Sequence, residues 1–182
     1  MAVAFLAQTC GAIACDRTVV VNDRPANHAW WLRATYAACD TSIYGVPVST
    51  IHPSWVRASR LEKKYIPRTA LFETGRDELA ESQVSFELRG DFNGDKSPDR
   101  AVVGVYEDNK GQSGLFIAIF TRAAKAWRPV FLHTYEGPHG IRALKRQEKT
   151  IEVWSCMSCD GIEDLAWDRK SRKYVWLEKK ED

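Results

Sequence analysis

No stretch of this chain is long and apolar enough to cross a bilayer as a helix, which takes about 20 residues, so no span is expected. No excess of one charge is present either. Lys and Arg number 26 against 24 Asp and Glu, a formal net charge of +2. That near-balance gives no electrostatic case for nucleic acid, whose phosphates call for a basic stripe or patch. Hydrolytic signatures are missing: there is no Gly-x-Ser-x-Gly, no His-Glu-x-x-His and no Ser-x-x-Lys. The histidines, His28, His52, His133 and His139, have no motif around them. A non-catalytic protein is the expectation.

What is present is an ordinary globular composition, 182 residues with 45% hydrophobic and 27% charged side chains, enough for a real core. One domain with an N-terminal extension is the natural count. The first 14 residues carry no charge and end in Ala12-Ile13-Ala14, an A-x-A cleavage pattern, just before Cys15. The segment lacks a basic n-region and its apolar run is short. Three readings stand: a secretory signal over 1–14, a lipoprotein-type cleavage with a lipid anchor at Cys15, or a buried N-terminal element of a cytoplasmic protein. Export to a periplasmic or extracellular location is preferred, and a cytoplasmic location is the alternative.

Cysteine usage agrees in part with export. Removal of Cys10 leaves Cys15, Cys39, Cys156 and Cys159, an even number. Pairing Cys15 with Cys39 and Cys156 with Cys159 is economical, although spacing does not fix connectivity. A lipid on Cys15 would leave Cys39 unpaired.

The periodicity predicts an α+β, mainly β fold: N-terminal helices over 15–82 packed on an antiparallel meander sheet over 83–182. Ala29–Ala38 suits a short helix. Pro53 to Ile66 is the clearest helix prediction, with Trp55, Val56, Ala58, Leu61, Tyr65 and Ile66 on one broad face, Pro53 at its first position and Pro67 ending it. Beyond Gln83 the pattern becomes strand-like. Runs at Val84–Leu88, Ala101–Tyr106, Leu115–Thr121, Trp127–Tyr135, Ile141–Arg146, Ile151–Trp154, Asp164–Trp167 and Lys173–Leu177 are separated by turn residues. That makes roughly eight strands, a normal sheet size.

Between the first two of those strands runs Asp91-Phe92-Asn93-Gly94-Asp95-Lys96-Ser97-Pro98-Asp99. Asp91, Asn93, Asp95 and Asp99 turn oxygen-bearing side chains toward one point, and the carbonyl of Ser97 can add another. Several hard oxygens around one point suit Ca²⁺. The alternative is an acidic turn that closes a hairpin without metal. No Glu follows at the twelfth position, where Val102 stands, and the flanks are strand-like, so an EF-hand is not expected.

The loop resembles the calcium loop of FG-GAP or VCBS-type repeats, D-x-N-G-D-G-x-x-D between two strands. Asp91, Asn93, Gly94, Asp95 and Asp99 match, and Lys96 stands where the family has Gly. That departure implies a strained backbone and a weaker site. The resemblance covers about residues 83–136 and a single copy. It implies propeller-blade-like hairpins, a calcium ion on Asp91, Asn93, Asp95, Ser97 and Asp99, and a role in extracellular recognition. A full propeller needs several blades, for which the chain is too short.

Two other constellations compete. Cys156-Met157-Ser158-Cys159 is a C-x-x-C, but Asp160-Gly161 after it favours a turn over the helix N-terminus that redox chemistry requires. The same cysteines with His133 and His139 could hold zinc in a cytoplasmic protein, at a loose His spacing. Asp160, Glu163 and Asp164 form a second acidic cluster, more often a solvated turn. The expectation is therefore an exported, calcium-stabilised β module that binds a protein partner, such as a bacterial envelope inhibitor or immunity protein. The alternatives are an enzyme using Cys156 and Cys159, or a zinc-stabilised cytoplasmic protein.

Overall fold

The computed structural model describes residues 15–23, 29–137, 139–156 and 161–178. The expected signal segment 1–14, His28, Cys159 and Asp160 lie outside them. In chain order, two short antiparallel pairs come first: β1 (Val20–Val21) with β2 (Ala34–Thr35), and β3 (Ser42–Ile43) with β4 (Val46–Pro47). The first long sheet contains β5 (Trp55–Arg60), β6 (Glu87–Gly90), β7 (Asp99–Asp108), β8 (Ser113–Ala123) and β9 (Ala126–Glu136). The second is a four-stranded meander of β10 (Ala143–Arg146), β11 (Thr150–Trp154), β12 (Ile162–Asp168) and β13 (Lys173–Leu177). All named strand pairs are antiparallel. The mainly β, antiparallel expectation holds, but the strands of 83–182 divide between two sheets. A backbone bridge between Ser85 and Leu144 links them.

The sequence of β8 explains the layering. Leu115 to Phe120 runs Leu-Phe-Ile-Ala-Ile-Phe without a polar interruption, and every one of these residues is buried. A strand lacking alternation must be covered on both faces. On one face Leu115, Ile117 and Ile119 join Ala101, Val103 and Val105 of β7, and pack with Ile151, Val153 and Leu165 of the second sheet. On the other, Phe116, Ala118 and Phe120 meet Ile43, Val46, Val48 and Trp55. The β3–β4 hairpin and the one-turn helix α2, the second in the chain (Val48–Ile51), thus form the second cover. Each fully buried Phe, Leu or Ile contributes about 2 kcal/mol by transfer from water.

The N-terminal helices do not form as expected. The Ala29–Ala38 segment holds one turn, α1 (Trp30–Arg33), after which Ala34 and Thr35 become β2. The Pro53–Ile66 helix is replaced by β5 and a 3₁₀ turn at Lys63–Tyr65. The remaining helices, α3 (Arg68–Leu71) and α4 (Glu78–Glu81), are also single turns.

A β-bulge explains the misreading of β5. Trp55 pairs with Asp108 and Arg57 with Glu107, so Val56 is an extra residue and points outward. Across the bulge, the buried positions Trp55, Ala58 and Leu61 fall three apart, which is a helical spacing. The strand prevails because β7 needs its edge paired. That edge is shared end to end: β6 covers Asp99–Val102 and β5 covers Gly104–Asp108. At the junction the Val103 amide donates to Phe86 (3.1 Å) and its carbonyl accepts from Leu61 (3.0 Å), leaving no orphaned backbone group there.

Gly104 marks the tightest point of this arrangement. A β-carbon built there would collide with the Ser59 carbonyl and the Phe116 ring. Gly104→Ala is expected to destabilise the fold by about 2–3 kcal/mol through overpacking. The check is a lower urea midpoint with an unchanged slope.

Candidate functional site

The loop between β6 and β7 closes on itself through its own side chains. Asp91 Oδ1 accepts from the amides of Gly94 (2.7 Å) and Asp95 (3.2 Å), and Oδ2 accepts from Lys96 (2.9 Å). Asn93 Oδ1 accepts from the Asp95 amide (2.9 Å), and Asp95 Oδ1 from the Ser97 amide (2.7 Å). Asn93 Nδ2 donates to Asp95 Oδ2 (3.1 Å). Short polar side chains bonding to backbone two to five residues ahead make this a nest of turns. The Ser97 amide bond holds the Asp95 carboxyl below its ordinary range.

Lys96 has φ +66°, the left-handed conformation that glycine would adopt freely. A side chain there costs about 1 kcal/mol. The strain expected at this position is present.

Asp99 differs from the other loop acids. As the first residue of β7 it is 1% exposed, and its Oδ2 accepts from the Phe92 amide at 2.9 Å. Its Oδ1 is buried without a hydrogen-bond partner. Two more buried oxygens stand beside it without a well-formed hydrogen bond, Oγ1 of Thr121, directly across on β8, and the hydroxyl of Tyr174 on β13, and both can turn a proton toward Asp99. Burial raises the Asp99 carboxyl above its ordinary value; the Phe92 amide and Thr121 hydroxyl oppose this, while Asp95 and Asp91 add to it. Burial likewise pushes the Tyr174 phenol up, with Asp99, Asp95 and Asp91 pushing the same way.

This arrangement brings Asp91, Asn93, Asp95, Ser97 and Asp99 into one loop, flanked by two clefts. One, lined by Asp91, Phe92, Arg146 and Tyr174, faces the second sheet. The other is lined by Asn93, Asp95, Thr121, Arg128, Trp167 and Arg172. Among the described residues, no three His, Cys, Asp or Glu side chains stand close enough to enclose a metal as they lie. The reason is visible in the bonds: Asp91 and Asp95 are turned onto loop amides. The donor set nonetheless fits a hard cation. It is all oxygen, and it includes one buried carboxylate oxygen that no backbone amide occupies.

Of the competing constellations only parts lie among the described residues. Cys15 is disulfide-bonded to Cys39, with Cα atoms 5.5 Å apart, which occupies the sulfur a lipid anchor would need. Cys156 is buried and also disulfide-bonded, so it is no free thiolate for zinc. His133 packs edge-on against Tyr135 and Trp176, and His139 is exposed. Glu163 and Asp164 lie on β12. Thr121 and Tyr174 have no signal in the sequence: they lie 22 and 75 positions beyond Asp99, and strand pairing brings the first near while packing of the two sheets brings the second. No family model matches the chain, and no curated protein or solved structure matches it.

The raised Asp99 carboxyl has a defined sign in stability. Its folded value lies above its unfolded one, so its contribution is complete below about pH 3.9 and is lost as pH rises through the folded value. At neutral pH without metal it is a net liability. Asp99→Asn is therefore expected to raise the melting midpoint in chelator at pH 7, and to leave it unchanged below pH 4. A lower midpoint at pH 7 in thermal scans would contradict this.

Proposed function

We propose that the chain is an exported, non-catalytic β module that calcium stabilises at Asp91, Asn93, Asp95, the Ser97 carbonyl and Asp99, and that binds another macromolecule. Its specific form would be an inhibitor or immunity protein of a bacterial envelope. The observation that carries the metal reading is the buried, unpartnered Oδ1 of Asp99. That buried carboxylate meets only neutral hydroxyls and, from Asp91 and Asp95, more negative charge, an arrangement that a cation would offset. Calcium, when bound, would supply that charge and fix the loop carboxylates.

The placement of the loop gives the ion a structural purpose. Asp99 starts the central strand of the first sheet, and Tyr174 belongs to the outer strand of the second. A cation beside Asp99 would relieve repulsion among Asp91, Asp95 and Asp99 where the two sheets meet. The resemblance of the loop to FG-GAP or VCBS-type repeats points the same way. Export is supported by the Cys15–Cys39 disulfide, since such bonds persist in oxidising compartments, where calcium is also abundant. The binding role draws on the absence of a catalytic motif in the sequence and on a rigid, doubly covered sheet that can present a fixed surface.

Metal binding to the folded state alone raises stability with ligand concentration. At free calcium about 100-fold above its Kd the gain is about 2.7 kcal/mol. For a chain of this size that is about 5–10 °C in melting midpoint. Asp95→Ala is expected to abolish the shift, and Lys96→Gly to enlarge it by removing backbone strain and a positive charge. Equal midpoints in calcium and in chelator for the unaltered protein would overturn the metal assignment.

A further inference from the structure

On the face of the first sheet that carries the β3–β4 hairpin, arginines gather around two aromatic rings. The Arg100 guanidinium lies 4.5 Å from the ring centre of Tyr44 and 4.9 Å from that of Trp127. Arg60 lies 4.6 Å from the Tyr44 ring, and Arg122 lies 5.7 Å from Trp127. Stacking on aromatic faces holds guanidinium groups in fixed orientations.

Charge in this cluster is unbalanced. Glu87 serves three arginines: Arg89 at 2.7 Å, Arg60 at 2.8 Å and Arg100 at 3.3 Å. Glu62 is shared between Arg60 and Lys64. Arg122 has no carboxylate partner among the described residues. Arg89 and Arg100 are direct cross-strand partners, a like-charge pairing that disfavours the sheet. Tyr44 is also strained. It stands at φ +54° before Gly45 at φ +79°, a turn that favours Asn or Gly at its first position. Its hydroxyl accepts from Arg60 at 3.1 Å, and its ring meets Arg100, Phe120 and Trp127. Those contacts hold the Tyr44 ring at the edge of the second core, beside the arginines.

We propose that this arginine–aromatic platform is where an Asp- or Glu-rich loop of a partner protein docks, which rests on the binding-module reading above and names the partner's chemistry. Glu87 demonstrates the fit, because one carboxylate already takes several of these guanidinium groups at bonding distance. A long phosphate or sulfate polymer is disfavoured, because a net charge of +2 gives no long-range attraction for it. Half-buried Tyr and Trp beside arginine are also the side chains that anchor protein interfaces.

The test uses the full chain, ¹⁵N-labelled and in calcium, titrated with a short glutamate-rich peptide. Saturable shifts are expected at the Trp127 indole and at the Arg60 and Arg100 side chains, weakening as salt is added. Arg100→Gln should weaken binding about tenfold. Arg89→Gln, at a side chain 72% exposed, should weaken it less without risk to the fold. Shifts that bypass Trp127, or affinity indifferent to both variants, would overturn the proposal. So would a sulfated oligosaccharide or an oligonucleotide binding more tightly than the peptide. Melting in calcium and in chelator is read on the same samples. A calcium shift without a peptide response sinks the docking surface alone; a peptide response without a calcium shift sinks the metal site alone.

Discussion

A carboxylate buried at the start of a central strand has to be answered by positive charge or by donors, and Asp99 is answered only in part. One oxygen closes the acidic loop through the Phe92 amide, and the other faces neutral hydroxyls from β8 and β13. That imbalance connects the loop to both sheets. It also gives the loop's chemistry a structural meaning, because whatever neutralises Asp99 does so where β6, β7 and β13 come together.

Alternation along β7 then ties this point to the opposite face. Asp99 looks toward the core between the two sheets, and the next residue, Arg100, looks toward the β3–β4 hairpin. Across β6 their partners are Gly90 and Arg89. The proposed cation site and the arginine platform therefore occupy successive residues of one strand pair. The loop joins the two strands that carry Arg89 and Arg100. The double cover of β8 supplies the rigidity, since neither face of the first sheet is open along its centre.

How much of this was legible depended on sequence distance. The β7–β8–β9 hairpins were readable because their apolar runs and turn residues are local, and the acidic loop was readable because its run of Asp and Asn fits within nine residues. The strained Lys96 followed from one mismatch in that pattern. The Pro53–Ile66 helix failed for a specific reason: the bulge at Val56 gave a strand the buried spacing of a helix, and the need to pair the edge of β7 decided the outcome. Thr121, Tyr174 and the Tyr44–Arg60–Arg100–Trp127 cluster had no local signal, because each is assembled by strand pairing or sheet packing between residues far apart in the chain. Cys15 with Cys39 was an economical pairing by count, and the fold brings the two together.

The most direct measurement of the central claim is a native mass spectrum of protein purified without chelator, set beside one taken after chelation. The account predicts a single calcium ion per chain, released by chelator and absent from Asp99→Asn. A spectrum with no bound metal at millimolar calcium, or with zinc in place of calcium, would contradict it.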